Sequence, residues 1–245
     1  MSKKIAVIIC AAGSSSRFGG KKKKIFVEVD RKAAFLRSVE LFTDHKDVKQ
    51  IIVAIAPEDE EMVKLRWGAN LQFFGVKLCH GGAERFETVK KALELVKAEV
   101  NLIAVHDAAR CCVKSEWIDQ CFDAAQRDSA AILACPVVAT LKKVRDGKIV
   151  ETVDRTGLFE AQTPQVFSAE LLREAYSNLE ELDEKLISDD AQLVEAMGKT
   201  VTIVETDSSN IKITTQADVP MAQAILKTRK PKPTGPVGPY VEAQW

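Results

Sequence analysis

The sequence predicts an α/β fold, a doubly wound, mostly parallel sheet with a projecting β-arm. Three observations carry that expectation. Short runs rich in Val, Ile and Ala recur up to Val137, apolar on both faces, as strands covered on two sides must be. Each is followed by turn signals and then by helical spacing, the alternation that builds parallel sheets. From Ala139 to Phe159 the pattern changes to two β-prone runs around Asp146-Gly147, a dipeptide that joins hairpin strands.

The elements follow in order. Lys4 to Cys10 (KIAVIIC) reads as a central strand, followed by a loop of glycine, serine and lysine. A helix is expected over Ala33 to Phe42, a strand over Gln50 to Ala56 (QIIVAIA) and a helix over Glu58 to Trp67. After the turn HGGAER, the residues Phe86, Val89, Leu93 and Val96 fall three and four apart, on one helical face that should cover the sheet. Asn101 to Asp107 (NLIAVHD), a helix over Ser115 to Gln126 and Ala130 to Val137 (AAILACPV) complete the doubly wound part. The arm spans about residues 137–159. Beyond it come TPQVF, a helix from Ser168 to Ser177, another after Ser188, the strand TVTIVE, and a helix capped by Thr215 with Asp218 three residues on. One domain is expected over residues 1–228. The tail, 229–245, is rich in proline and is expected to be disordered.

Composition excludes several function classes. Lys plus Arg and Asp plus Glu both number 35, so the whole-chain charge argues against nucleic acid or a membrane surface as partner. Any basic site must be local. No apolar run approaches the roughly 18 residues of a membrane span, and the run after the opening lysines is too short for a signal peptide, so a cytoplasmic location is expected. The six cysteines lack the C-x-x-C spacing of zinc sites and read as reduced structural thiols, with the pair Cys111-Cys112 standing beside Arg110.

In doubly wound sheets, ligands bind at the carboxyl ends of strands, where backbone N–H groups point outward. The loop AAGSSSRFGGKKKKIF, Ala11 to Phe26, lies at such an end. Ala11, Ala12 and Gly13 are small enough for a ligand to approach the backbone, and Gly19 and Gly20 permit unusual dihedrals. Arg17 and Lys21 to Lys24 supply the charge a polyphosphate needs. The alternative is a solvated basic loop. Neither the G-x-x-x-x-G-K-[ST] nor the G-x-G-x-x-G spacing is present, and no base or nucleophile stands nearby. Asp107 and Arg110 in VHDAAR lie at another strand end, where the carboxylate could hold a divalent metal or a sugar hydroxyl and the arginine a phosphate; a structural ion pair is the equal alternative. His106 reads as a packed, hydrogen-bonded neighbour.

Taken together, AAGSSSRFGGKKKKIF, GGAERFETV, VHDAAR, ETVDRTGLFEAQTPQVF and NIKIT resemble, in that order, the motifs of the 2-C-methyl-D-erythritol 4-phosphate cytidylyltransferase family. The resemblance spans about Ile5 to Leu226. It implies a Rossmann-like nucleotidyltransferase fold and transfer of CMP from CTP to methylerythritol phosphate, with pyrophosphate leaving and Mg2+ as cofactor. Such chemistry needs charge neutralisation and in-line positioning more than a general base, because a phosphate monoester is already ionised. By the family pattern, Arg17 and Lys24 stabilise the transition state. The lysine chosen is the one seven residues after the arginine and before Ile25-Phe26, and its three neighbours are spare charge that raises the local potential.

The same resemblance assigns backbone contacts with the nucleotide to Ala11, Ala12 and Gly13, and the reading of cytosine to Gly82 and Thr88. Thr88 stands where the family more often has serine. Asp107 sits near the ribose, the Mg2+ and the methylerythritol, with Arg110 beside it. Thr140, Arg155, Thr163 and Lys212 bind or position the methylerythritol phosphate. The arm reaches across a homodimer, so Arg155 serves the neighbour's site. The chain departs from the family at Cys111, where many relatives have proline, and in its C-terminal tail. A rival reading is ribitol-5-phosphate cytidylyltransferase, which usually carries valine at the position of Ala109 and lacks this form of VDR. A non-catalytic nucleotide-binding module would be expected to lose Arg17, Lys24, Asp107, Arg155 and Lys212, all of which are present.

Overall fold

The computed structural model describes residues 2–19, 23–179 and 187–229. Gly20, Lys21, Lys22 and the tail from 230 onward, for which disorder was the expectation, lie outside the described residues. In chain order the elements are β1 (Ile5–Ala11), β2 (Glu28–Val29), β3 (Lys32–Ala33), α1 (Ala34–Thr43), β4 (Val48–Ile55), α2 (Glu60–Phe73), β5 (Val76–His80), α3 (Arg85–Leu93), β6 (Leu102–Asp107), α4 (Ser115–Asp128) and β7 (Ala130–Pro136). There follow β8 (Leu141–Arg145), β9 (Lys148–Val153), β10 (Phe159–Ser168), α5 (Ala169–Ser177), α6 (Asp190–Ala196), β11 (Thr202–Glu205) and α7 (Asp218–Thr228).

The main sheet has the order β11-β7-β10-β6-β1-β4-β5. Every pairing in it is parallel except those of β10, which runs against both β6 and β7. Period-two alternation splits the core between the two faces. Ile5, Val7 and Ile9 of β1 pack with Phe35 and Phe42 of α1 and with Phe122 of α4. Ala6 and Ile8 face the other way, with Phe86 and Val89 of α3, Leu172 of α5 and Val194 of α6. Both clusters are closed to water, and cutting Phe42 to alanine is expected to cost about 3–5 kcal/mol.

Several expectations shift at their edges. α2 starts at Glu60, because Pro57–Asp59 forms a separate 3-10 turn, and it continues through Gly68 to Phe73. α3 stops at Leu93, although Val96 is buried as expected in the turn that follows. α7 starts at Asp218 instead of being capped by Thr215. Its Asp218 carboxylate accepts the N–H groups of Thr214 (2.8 Å) and Thr215 (2.7 Å), so the reach back to Thr215 exists while the helical dihedrals begin later. The strand β5 and the small hairpin β2-β3 were not anticipated. TPQVF proves to be the inner part of β10, an antiparallel strand in the middle of the sheet.

The change of pattern after Ala139 is a two-stranded sheet, β8-β9, separate from the main one. Asp146 (φ 51°) and Gly147 (φ 74°) both have positive φ, as a two-residue hairpin turn of the primed kind requires. The main sheet reverses its order beside β1: the chain leaves β1 toward β4 and β5 on one side and returns to β6 on the other. That boundary is where a doubly wound sheet binds ligands.

Candidate active site

Four segments meet at the carboxyl ends of β1 and β6, around a cavity of about 310 Å³. The first follows β1. Ala12 and Gly13 line the cavity, and a Cβ built on Gly13 would meet nothing within 4 Å, so the space beside this backbone is open. Ser15 turns the loop through a left-handed dihedral (φ 60°), and its Oγ accepts the Lys24 N–H at 3.1 Å. Beyond Lys24, Ile25 is buried and Phe26 stacks on Trp67 at 5.4 Å and meets Phe35 edge-on at 5.8 Å. This apolar anchor fixes the backbone from which Lys24 reaches into the cavity.

Lys23 is tied down on the other side. Its Nζ lies 2.8 Å from Glu58 Oε1 and 2.7 Å from Asp59 Oδ2, so its charge is compensated instead of adding to the potential of the loop. Lys21 and Lys22, read with it as spare charge, lie outside the described residues. Arg17 is exposed on the loop, near enough to act electrostatically on Lys24. Burial, then repulsion from Lys212, lowers the Lys24 pKa, while Asp107 pulls the other way.

The second segment runs from Gly81 to Thr88. A Cβ on Gly81 would come within 2.4 Å of Ala12 Cβ, and one on Gly82 within 2.3 Å of Glu87 Cβ, so both positions require glycine. Glu87 Oε2 accepts the N–H groups of Ala83 (2.6 Å) and Glu84 (3.3 Å), which closes the start of α3. The Thr88 hydroxyl donates to Glu84 O (3.0 Å) and accepts from Gly82 N (3.0 Å). Its proton is therefore spent on shaping the Gly82 turn.

The third and fourth segments are Asp107 to Arg110 and Asn210 to Lys212. Asp107 Oδ2 lies 2.8 Å from Lys212 Nζ and 3.4 Å from Arg110 Nε; Oδ1 lies 3.5 Å from Arg85 Nε. Burial alone would raise the pKa of this carboxyl, but Lys212, Arg85 and Arg110 outweigh it and hold it far below the usual carboxylate range. Arg110 is fixed in turn by Asn210 O (2.7 Å) and Ala161 O (3.3 Å). Around Asp107 the cations Lys212, Arg85 and Arg110 outnumber its single carboxylate, and such a local surplus suits a polyphosphate.

Behind Asp107, burial pushes the His106 pKa down to about 4, so the ring is neutral near pH 7. Its Nε2–H donates to Arg110 O (3.2 Å), which leaves Nδ1 to accept the Thr163 hydroxyl (3.1 Å); that oxygen also accepts the Asp107 N–H (3.0 Å). His106 is thus the packed neighbour expected, and Thr163 supports the Asp107 backbone from within the protein. Cys10 lines the cavity, but burial pushes its thiol up to about 12, so it offers no thiolate nucleophile. Cys111 and Cys112 are buried and unbridged.

The cavity thus brings together Ala12, Gly13, Lys24, Gly82, Thr88, Asp107 and Lys212, with Arg110 adjoining through Asp107 and Ala11 buried in β1 beneath it. Thr140 and Arg155 are exposed on the segments flanking the β8-β9 hairpin, where the Arg155 guanidinium donates to Val138 O. Sequence reasoning passed over Arg85, which lines the cavity and touches Asp107. It lay in plain view within GGAER, but its partner Asp190 is too distant in sequence to signal the pairing. Among the described residues no group of three or more His, Cys, Asp or Glu could hold a metal, and no helix is long and apolar enough to cross a membrane.

Comparison with known proteins gives a consistent result. The family model for 2-C-methyl-D-erythritol 4-phosphate cytidylyltransferase matches residues 5–228. A protein of that name from Endomicrobium trichonymphae is 41% identical over 226 residues, covering 92% of this chain and all of the relative. Among solved structures, the 4-diphosphocytidyl-2C-methyl-D-erythritol synthase of Anaerococcus prevotii superimposes with a TM-score of 0.78 at 27% identity, covering 93% of this chain and 100% of its own. The cytidylyltransferase of Thermus thermophilus superimposes at 0.76 with 31% identity, covering 91% and 99%.

Proposed function

Since the chain belongs to the 2-C-methyl-D-erythritol 4-phosphate cytidylyltransferase family, we propose that its β1/β6 cavity is the CTP site and that the chain's own residues divide the reaction as follows. The activity is transfer of CMP from CTP to 2-C-methyl-D-erythritol 4-phosphate, releasing pyrophosphate, in isoprenoid precursor biosynthesis. The observation that carries the site assignment is the convergence of Lys24, Lys212 and the Arg-ringed Asp107 between the open backbone at Gly13 and the close-packed Gly81-Gly82 turn. The backbone of Ala11 to Gly13 and of Gly82 holds the nucleotide. Thr88 acts on it by fixing the Gly82 turn.

An attacking phosphate and a triphosphate repel each other, so the catalytic requirement is fixed positive charge on the α-phosphate as the fifth oxygen arrives. Lys24 supplies it from an anchored backbone, and Arg17 closes over it from the loop. Lys212 and Arg110 stand at the far side of Asp107, where the methylerythritol phosphate enters. Arg155 and Thr140 complete that end from the hairpin of a second copy, and the enzyme is a homodimer with exchanged arms. The domain is single over residues 1–228. Six unbridged cysteines support a cytoplasmic location.

The family's reaction calls for a divalent cation, and the donor set fits Mg2+, which is commonly held by one or two carboxylates plus substrate phosphates. Asp107 is the carboxylate, with Oδ1 lying 3.5 Å from Arg85 Nε while Oδ2 takes the closer contact with Lys212. Bound there, the ion would neutralise triphosphate charge. Measuring pyrophosphate release from CTP with methylerythritol 4-phosphate and, separately, with ribitol 5-phosphate tests the reading. Turnover is expected with the first; a clear preference for the second would replace it with the ribitol assignment.

A further inference from the structure

Arg85 is oddly placed for a structural residue. It opens α3, where a cation opposes the helix dipole, and its side chain is only 25% exposed. Asp190, fully buried at the start of α6, makes this position tenable: its Oδ2 lies 2.6 Å from Arg85 Nη1, and its Oδ1 accepts the Tyr176 hydroxyl at 2.6 Å. The start of α6 is itself stitched to the sheet. Gln165 Oε1 accepts the N–H groups of Asp190 (3.0 Å) and Ala191 (3.1 Å), and Gln165 pairs with Val105, two residues before Asp107.

A buried ion pair of this kind is poor value for stability alone, since an apolar pair of similar volume usually serves as well. The guanidinium has other features that a purely structural pair does not need. Its Nε faces Asp107 Oδ1 at 3.5 Å, its side chain lines the cavity beside Gly82, and its Nη2 is buried with no hydrogen-bond partner among the described residues. We propose that Asp190 is a positioning residue of the nucleotide site: its carboxylate holds the Arg85 guanidinium in the cavity wall, and through Arg85 it fixes the side chain of Asp107. The inference rests on the reading of this cavity as the CTP site. A chain of contacts thus runs from Asp190 of α6 through Arg85 to Asp107, the carboxylate that Lys212 and Arg110 also contact.

The test is CTP binding by calorimetry, without added metal, together with steady-state kinetics of the full chain. Asp190→Asn keeps the shape and the Tyr176 contact but removes the charge. It is expected to weaken CTP binding about tenfold or more and to raise KM for CTP more than it lowers kcat, with Asp190→Glu recovering part of the loss. Val194→Ala loosens the same helix without touching Arg85 and is expected to keep the wild-type CTP affinity. Should Asp190→Asn fail to fold, the double variant Arg85→Met/Asp190→Leu leaves no lone buried charge; it is expected to fold and still bind CTP weakly. Wild-type affinity in folded Asp190→Asn or in the double variant overturns the proposal, as does an equal loss in Val194→Ala. Wild-type turnover in Lys24→Ala and Gly82→Val would instead overturn the reading of the cavity itself.

Discussion

Asp107 and Arg155 are both expected to meet substrate, yet the chain builds their surroundings in opposite ways. Around Asp107 nearly everything is supplied internally: three cations within 3.5 Å, a backbone N–H held by Thr163, a neutral histidine behind it and, across the cavity, the Gly81-Gly82 turn that admits no Cβ. Around Arg155 almost nothing is. Its hairpin stands apart from the main sheet, with Val144, Ile149 and Val150 more than half exposed. A two-stranded hairpin is marginal by itself, and the proposed arm exchange would cover those side chains. On the proposed reading, the nucleotide end is preorganised by one chain and the sugar-phosphate end is left for assembly to finish.

The sharpest way to break that contrast is at Lys24. Lys24→Ala removes a fixed charge from the preorganised side and is expected to lower kcat by about 10²–10³, with a much smaller change in CTP affinity. Single-turnover kinetics would separate the two. Equal losses in binding and chemistry would mean that Lys24 only holds the ground state.

Arg155→Ala addresses the other side. It is expected to raise KM for methylerythritol 4-phosphate by about 10–10², leaving CTP affinity alone. Mixing the Lys24→Ala and Arg155→Ala chains then probes assembly. With exchanged arms, a heterodimer has one site with both lesions and one with neither, so random reassortment should restore about a quarter of wild-type activity per chain. No recovery on mixing would place Arg155 in the site of its own chain.

The same contrast explains what could be read in the sequence. The strands that flank the cavity are continuous apolar runs whose loops carry glycine and charge, so β1, β6 and Asp107 at its strand end were legible, while Lys24 was singled out only by the family resemblance. The β10 strand was not, because an antiparallel strand inserted between β6 and β7 depends on pairings remote in sequence. Arg85 and Asp190 escaped for the same reason, their meaning lying in a contact between α3 and α6. Lys23 looked identical to Lys24 in a run of four, and only Glu58 and Asp59 distinguish them.

A pH measurement separates the regions again, by stability. The folded pKa of His106 is about 4 against an ordinary 6.5, so between those values the unfolded chain binds the additional proton. Stability is therefore lost as pH falls from about 6.5 to 4, by up to about 1.4 kcal/mol per pH unit. The Asp107 carboxyl, held low by its cations, contributes stability that is present above its ordinary pKa of 3.8 and lost only at more acid pH. Denaturant titrations from pH 7 to 4.5 should show the slope in wild type and a flatter one in His106→Gln. Removing the exposed hairpin should leave it unchanged, and a slope that followed the hairpin would reverse the assignment.

The smallest expected effect bears on the finest distinction, that between two adjacent lysines. The Lys23 side chain is about one-fifth exposed and reaches Asp59 at 2.7 Å, and neither residue lines the cavity. Solvent-screened pairs of this kind contribute about 0.5 kcal/mol, so Lys23→Ala should lower stability by about that amount and change kcat less than about threefold. Lys24, one residue on, has no such ion pair among the described residues and sits among Lys212, Arg17 and Arg110, which with burial outweigh Asp107, so its charge is costly to keep and available to substrate. If Lys23→Ala matched the loss in Lys24→Ala, catalysis would depend on the summed potential of the run. If it did not, the ion pair with Asp59 is what makes the run asymmetric, holding one lysine out of the cavity so that the Ile25-Phe26 anchor can turn the next one in.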